Sequence, residues 1–207
     1  MESLEEKYEK AYSICRNNPR ESIKLLNEIL DVSPKHLKSN HDAILIYLGL
    51  GKYEEAIEQG MKYIGYYPQD CRAYNSLGLV YYAKGEYEKA ISYLHQSVEK
   101  DDEFWQSYNN LGTCFLKIGD IINSKKNYEK SYELNINDST LIGLIFCNLF
   151  ESHYLEAERY FSQIKDSKLL HKSKILMDIC DYMKNNCNLE IEKHKCSNIL
   201  LKLIEKV

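Results

Sequence analysis

A spacing of 34 residues recurs through the middle of this 207-residue chain and constrains its fold more than any other feature. Glycine occurs at positions 51, 85 and 119. Small, aliphatic, aromatic and proline residues keep the same spacing, in the columns Ala56/Ala90/Ser124, Ala43/Leu77/Leu111, Tyr47/Tyr81/Phe115 and Pro34/Pro68. A period of this size is typical of small units that cannot bury their apolar faces alone. The chain is therefore predicted to be a stack of similar units.

Each unit has the pattern of two helices joined by a glycine turn. One apolar face, spaced as on a helix, consists of Tyr74, Leu77, Gly78 and Tyr81. A second follows Gly85 and consists of Tyr87, Ala90, Ile91, Leu94 and Val98. Gly85 is predicted to end the first helix in a left-handed conformation. Because glycine inside a helix costs about 1 kcal/mol relative to alanine, Gly78 predicts a close approach of the second helix, where the small residue Ala90 meets it.

At these residues the chain resembles the tetratricopeptide repeat (TPR) family. The strongest copy spans 71–104, with Tyr74, Leu77-Gly78, Tyr81, Ala90 and Leu94 at the family's signature positions. The resemblance implies an all-α fold, a right-handed α-solenoid of stacked helix-turn-helix hairpins.

The predicted solenoid covers residues 1–172, in units of about 3–36, 37–70, 71–104, 105–138 and 139–172. The first unit fits the pattern only with a shortened turn near Asn17-Asn18-Pro19, and the fifth only after a slip of one residue. Residues 173–207 are interpreted as a C-terminal helical hairpin, either a degenerate sixth repeat or a cap, because terminal units are usually atypical.

The resemblance also implies where a ligand binds, since the first helix of each unit lines the concave surface in this family. Carried onto this sequence, the peptide-binding groove is expected to consist of His41, Leu45, Arg72, Asn75, Leu79, Tyr82, Gln106, Asn109, Asn110, Thr113 and Lys117. Amide side chains both donate and accept hydrogen bonds, so this mixture suits a peptide backbone. A clamp for a C-terminal carboxylate is not predicted, because Asp42 and Ser76 stand where asparagine would be needed.

Composition argues against several other classes of protein. The formal net charge is −4 and the pI about 5.9, whereas a nucleic-acid binder usually has a basic face. The apolar stretch 141–150 is too short to span a bilayer, so no membrane insertion is expected. The first seven residues, MESLEEK, have no apolar segment of a signal peptide. A cytoplasmic protein is therefore expected.

No pattern in the sequence indicates catalysis, a metal site or a cofactor. The seven cysteines include no CxxC pair, and Cys114, Cys147 and Cys180 are 33 residues apart, as repeat geometry explains. The C-terminal cluster of Cys180, Cys187, His194 and Cys196 has ligand types suited to zinc, but its spacing matches no common zinc motif. No nucleophile elbow, phosphate loop or HExxH motif is present.

The sequence therefore predicts a scaffold or adaptor that binds a protein or peptide and is not an enzyme. Two alternatives stay open at this stage: a structural or self-associating subunit of a larger complex, and a non-catalytic regulatory subunit of an enzyme. They differ from the adaptor in the groove, which a free adaptor leaves accessible and an assembly protein covers.

Overall fold

The computed structural model describes residues 2–165, which form ten α-helices and no β-strand. The helices are α1 (Leu4–Ile14), α2 (Pro19–Val32), α3 (Leu37–Gly49), α4 (Tyr53–Tyr66), α5 (Cys71–Ala83), α6 (Tyr87–Lys100), α7 (Trp105–Lys117), α8 (Ile121–Leu134), α9 (Asp138–Phe150) and α10 (Tyr154–Phe161). The chain divides into two compact units, Met1–Asp102 with α1–α6 and Glu103–Val207, whose described part holds α7–α10. The prediction of an all-α fold built from helical hairpins is confirmed.

Each odd-numbered helix pairs with the next helix to form a hairpin. In unit 1, α2 also packs on α3 and α4 on α5, so successive hairpins stack; in unit 2, α8 packs on α9 in the same way. The apolar stripes predicted from the sequence are buried in these contacts, because Leu77, Leu94 and Leu111 are all essentially inaccessible to solvent. No helix within residues 2–165 is both long and apolar enough to cross a bilayer.

The turns inside the hairpins depend on a left-handed residue. Gly51, Gly85 and Gly119 have φ angles of 70°, 78° and 81°, which confirms the predicted role of Gly85. In the fifth hairpin Ser152, with φ of 61°, takes this place 33 residues after Gly119. The predicted slip of one residue in that unit is therefore confirmed.

The first hairpin differs from its prediction. Its turn is not shortened, because it spans residues 15–18 and is one residue longer than the 50–52 turn of the next hairpin. Asn18 caps α2 by accepting from the Glu21 amide, and Pro19 occupies the first turn, which fixes where α2 begins. The extra residue is instead taken from α1, which is 11 residues long.

The two helices of a hairpin approach closely at glycine. A methyl group on Gly78 would lie 2.6 Å from Cγ of Leu94 and 3.4 Å from the Ala90 carbonyl oxygen. The close approach is confirmed, but the large side chain of Leu94 rather than the small residue Ala90 fills the space. At Gly112, the Ser124 hydroxyl donates a hydrogen bond of 2.8 Å to the glycine carbonyl.

Unit 2 has its core around α9. Leu141, Leu144, Ile145 and Leu149 are fully buried, and the ring of Tyr128 packs against the same cluster. The C-terminal hairpin predicted for 173–207 and the zinc-type cluster at Cys180, Cys187, His194 and Cys196 lie outside the described residues. The assignment of domains at residue 172 stays a prediction.

Candidate functional site

The odd-numbered helices of unit 1 present a continuous surface with two depressions, which we term the first-helix face. It is formed by side chains of α1, α3 and α5, chiefly Tyr8, Tyr12, Lys38, His41, Asp42, Leu45 and Arg72. The depressions have volumes of about 390 Å³ and about 350 Å³. Both are lined by Tyr12 and Asp42, so the two adjoin each other.

The larger depression is mainly apolar. Tyr12, Leu26, Leu45 and Ile46 line it, and α1, α2 and α3 each contribute to its wall. Tyr12 is 59% exposed and Leu45 is 37% exposed, which is unusual for side chains of this size on a folded surface. An apolar side chain of a ligand placed here would remove both residues from water, which is favourable.

The smaller depression is polar and is organised around Asp42. The Tyr8 hydroxyl donates to Oδ2 of Asp42 at 2.6 Å, and Nδ1 of His41 lies 3.0 Å from Oδ1. Burial alone would raise the pKa of Asp42, but the hydrogen bonds from His41 and Tyr8 outweigh it and lower the pKa. Lys38 lies 5.0 Å from the centre of the Tyr8 ring and pairs with Glu5. A carboxylate held in this way fixes the positions of the tyrosine and the histidine.

Arg72 lies at the edge of the same depression and is held by Asp70. Its Nε and Nη2 atoms donate to the two carboxylate oxygens of Asp70 at 2.9 Å and 2.7 Å, the two-pronged geometry that guanidinium groups favour. Asp70 also accepts from the Arg72 amide, which caps α5, and from the Tyr63 hydroxyl at 2.7 Å. Burial alone would raise the pKa of Asp70, but these hydrogen bonds lower it.

Asp70→Asn should lower the free energy of unfolding by roughly 1–2 kcal/mol at neutral pH, because it weakens a helix cap and a charge-assisted pair. The pKa of Asp70 in the folded protein lies below its ordinary value of 3.8. The stabilisation is therefore complete above that value and is lost as the pH falls through the lowered pKa. Chemical denaturation between pH 7 and pH 3 should converge for wild type and variant at the acid end. Parallel curves would contradict the role of the carboxylate charge.

The structure brings some of the groove residues predicted in unit 1 together and buries another. His41, Leu45 and Arg72 line the two adjoining depressions, as their predicted positions require. Asn75 is only 8% exposed, so it offers a ligand little surface. Leu79 and Tyr82 are half-buried on the later turns of α5.

Three residues of the first-helix face were missed by sequence reasoning as ligand contacts: Tyr8, Tyr12 and Asp42. The repeat period contained a signal for one of them, because Tyr8 precedes Asp42 by 34 residues and contacts it directly. The irregular register of the first hairpin obscured that signal, since the predicted positions were counted from the later units.

The groove residues predicted in unit 2 all lie on α7: Gln106, Asn109, Asn110, Thr113 and Lys117. Each is half-buried. The Asn109 side chain is used within the unit, because Thr140 donates to its Oδ1 at 3.1 Å and its Nδ2 donates to Ser139 at 3.4 Å. The Thr113 hydroxyl bonds to the Asn109 carbonyl at 3.0 Å and lies 2.9 Å from the Tyr128 hydroxyl. As ligand contacts these residues stay predictions.

The thiols within the described residues have the environment of packing residues. Cys71, Cys114 and Cys147 are buried, and burial raises the pKa of Cys114 to about 12 and that of Cys147 to about 11. A thiol with so high a pKa is a poor nucleophile and a poor metal ligand, because both roles need the thiolate. Within residues 2–165, no three histidine, cysteine or acidic side chains are grouped as a metal site would need.

Comparisons with known proteins agree on the repeat. Two segments, residues 71–104 and 106–137, match models of the tetratricopeptide repeat. No curated protein matches the sequence. Among solved structures, the chain resembles the pilF protein of Pseudomonas aeruginosa at 17% identity and a TM-score of 0.71, covering 94% of this chain and 96% of that one.

Two further solved structures share the architecture. A thermophilic TPR protein of Thermus thermophilus is 14% identical with a TM-score of 0.68, over 94% of this chain and 98% of that one. MamA of Desulfovibrio magneticus is 22% identical with a TM-score of 0.56, over 64% and 76%. At such identities the likeness shows a common fold, which agrees with the matched repeats. The chain is therefore a member of the tetratricopeptide repeat family.

Proposed function

We propose that this protein is an interaction scaffold that binds an extended segment of another protein on the first-helix face of unit 1. The observation that carries the proposal is the pair of adjoining depressions, one apolar and one charged, that share Tyr12 and Asp42. Recognition sites of proteins commonly combine an apolar pocket with a few fixed polar groups. The function needs no catalytic group and no cofactor, and we propose that it is exercised in the cytoplasm.

The two depressions favour a ligand of mixed character. An apolar side chain of the partner would enter the larger depression, between Tyr12 and Leu45. Lys38 and Arg72 are each about half exposed at the smaller depression, where an acidic group of the partner would gain from two cations. Because Asp42 and Asp70 already orient these surroundings, little side-chain freedom would be lost on binding.

Leu45→Asp should weaken the binding of a peptide partner by roughly tenfold or more, because it places a charge in the apolar depression. Peptides selected on the full chain from a random phage-displayed library supply the probe, and fluorescence anisotropy measures their affinity. Val32→Asp is the matched control, since Val32 is 74% exposed on α2 and outside both depressions.

The control variant should bind within about twofold of wild type, since exposed substitutions away from a site have small effects. Circular dichroism must show the same helix content for both variants. Equal affinities for the Leu45 and Val32 variants would place the peptide elsewhere and remove the support for the first-helix face.

A further inference from the structure

Unit 1 has a second cleft, of about 600 Å³, formed by α2 and α4 with side chains of α3. None of its lining residues belongs to the first-helix face. We term it the α2–α4 cleft; its polar wall includes Asp31, Glu55, Glu58, Gln59, Tyr47 and Tyr66. Its size is in the range of clefts that hold a long side chain together with adjacent backbone.

The charges around the α2–α4 cleft are mainly negative. Three carboxylates line it, whereas Lys62 is its one lining cation among the described residues. Lys62 pairs with Glu58 at 2.7 Å. Asp31 forms no ion pair within residues 2–165. A cation entering the cleft would therefore meet an excess of acceptors.

A buried amide supplies independent evidence that the cleft accepts a donor. Both side-chain N–H bonds of Asn40 are directed at the carbonyl oxygens of Pro34 and His36, each at 2.9 Å, so its Oδ1 is an acceptor. Nε2 of Gln59 donates to that Oδ1 at 2.7 Å, which leaves Oε1 as the acceptor atom of Gln59. Gln59 is only 9% exposed, and no described residue donates to its Oε1.

We propose that the α2–α4 cleft binds an arginine side chain from a basic segment of a protein partner. A guanidinium group has five donors in a plane, which suits several carboxylates and an amide oxygen at once. Tyr47 and Tyr66 line the same cleft, and aromatic faces attract a guanidinium. The inference goes beyond the proposed function, because it concerns a different face and the opposite ligand charge.

Nuclear magnetic resonance of the ¹⁵N-labelled full chain tests the proposal. The probe is the peptide acetyl-Gly-Arg-Arg-Gly-amide, and the same peptide with citrulline in place of arginine removes the charge at nearly constant shape. The arginine peptide should cause saturable shifts at the backbone amides of Asp31, Gln59 and Tyr66. The citrulline peptide should cause none, and added salt should weaken the binding of the arginine peptide.

Asp31→Asn combined with Glu58→Gln should weaken the binding of the arginine peptide by roughly tenfold, because two charged acceptors are lost. Glu88→Gln with Glu99→Gln is the matched control, since both residues are exposed on α6 of the same unit and outside the cleft. The control pair should bind within about twofold of wild type. Equal weakening by both pairs, or shifts centred away from the cleft, would overturn the proposal in favour of general attraction to an acidic surface.

Discussion

Gly78→Leu is expected to lower the free energy of unfolding by about 3 kcal/mol or more, since inserting side-chain atoms into a packed interface forces neighbours off their rotamers. The first atom of the new side chain would lie 2.6 Å from Cγ of Leu94, which is itself fully buried. Leu94 cannot move into solvent, so α5 and α6 must separate. Urea denaturation followed by circular dichroism measures the loss, and a fall in the m-value would show that unfolding has become less cooperative.

Gly49→Leu is the matched control for that substitution. Gly49 is also a helical glycine, the last residue of α3, but a methyl group there would meet nothing within 4 Å. The free energy of unfolding of this variant should stay within about 0.5 kcal/mol of wild type. If the two glycine variants proved equally destabilising, the close contact between α5 and α6 would not be the cause.

Tyr128→Ala is expected to lower the free energy of unfolding by roughly 3–5 kcal/mol, the usual cost of removing a large buried aromatic ring. The ring lies between two helical glycines. Methyl groups on Gly112 and Gly143 would both clash with it, the first at 2.8 Å, so neither helix has side-chain atoms that could fill the space. Hydrogen exchange should show lost protection in α7, α8 and α9, which the ring joins.

Tyr128→Phe separates the ring from its hydroxyl. The phenylalanine variant keeps the contact with both glycines and loses the hydroxyl that lies 2.9 Å from Thr113, so it should cost only about 1 kcal/mol. A phenylalanine variant as unstable as the alanine variant would assign the stability to the hydroxyl network. A stable alanine variant would show that α7 and α9 can close the gap.

The hairpins could be predicted from the sequence because each helix carries its own packing pattern. The glycines at 51, 85 and 119 marked the turns, and the aromatic and small columns marked the buried faces. Such signals are local, so they survive without knowledge of the neighbouring unit. The identity of the contact at Gly78 was different, because the reach of Leu94 depends on the crossing of two helices.

The binding surface could be predicted only in part, for a related reason. Positions counted along the repeat placed His41, Leu45 and Arg72 on the first-helix face, where the structure also has them. They did not reveal that Ser139 and Thr140 of the next hairpin occupy the amide of Asn109. Contacts between hairpins depend on side chains that are far apart in the sequence, and no single unit records them.

The first-helix face is tested most directly by photo-crosslinking from within it. A benzophenone amino acid replaces Leu45 in one full-length variant and Val32 in another, and each is irradiated in an extract of the cells that produce the protein. The account predicts a discrete crosslinked polypeptide from position 45 that is absent at position 32 and is suppressed by a peptide selected on the wild-type chain. The same polypeptide captured from position 32 and not from position 45 would contradict the account, because the partner would then lie on α2 rather than on the first-helix face.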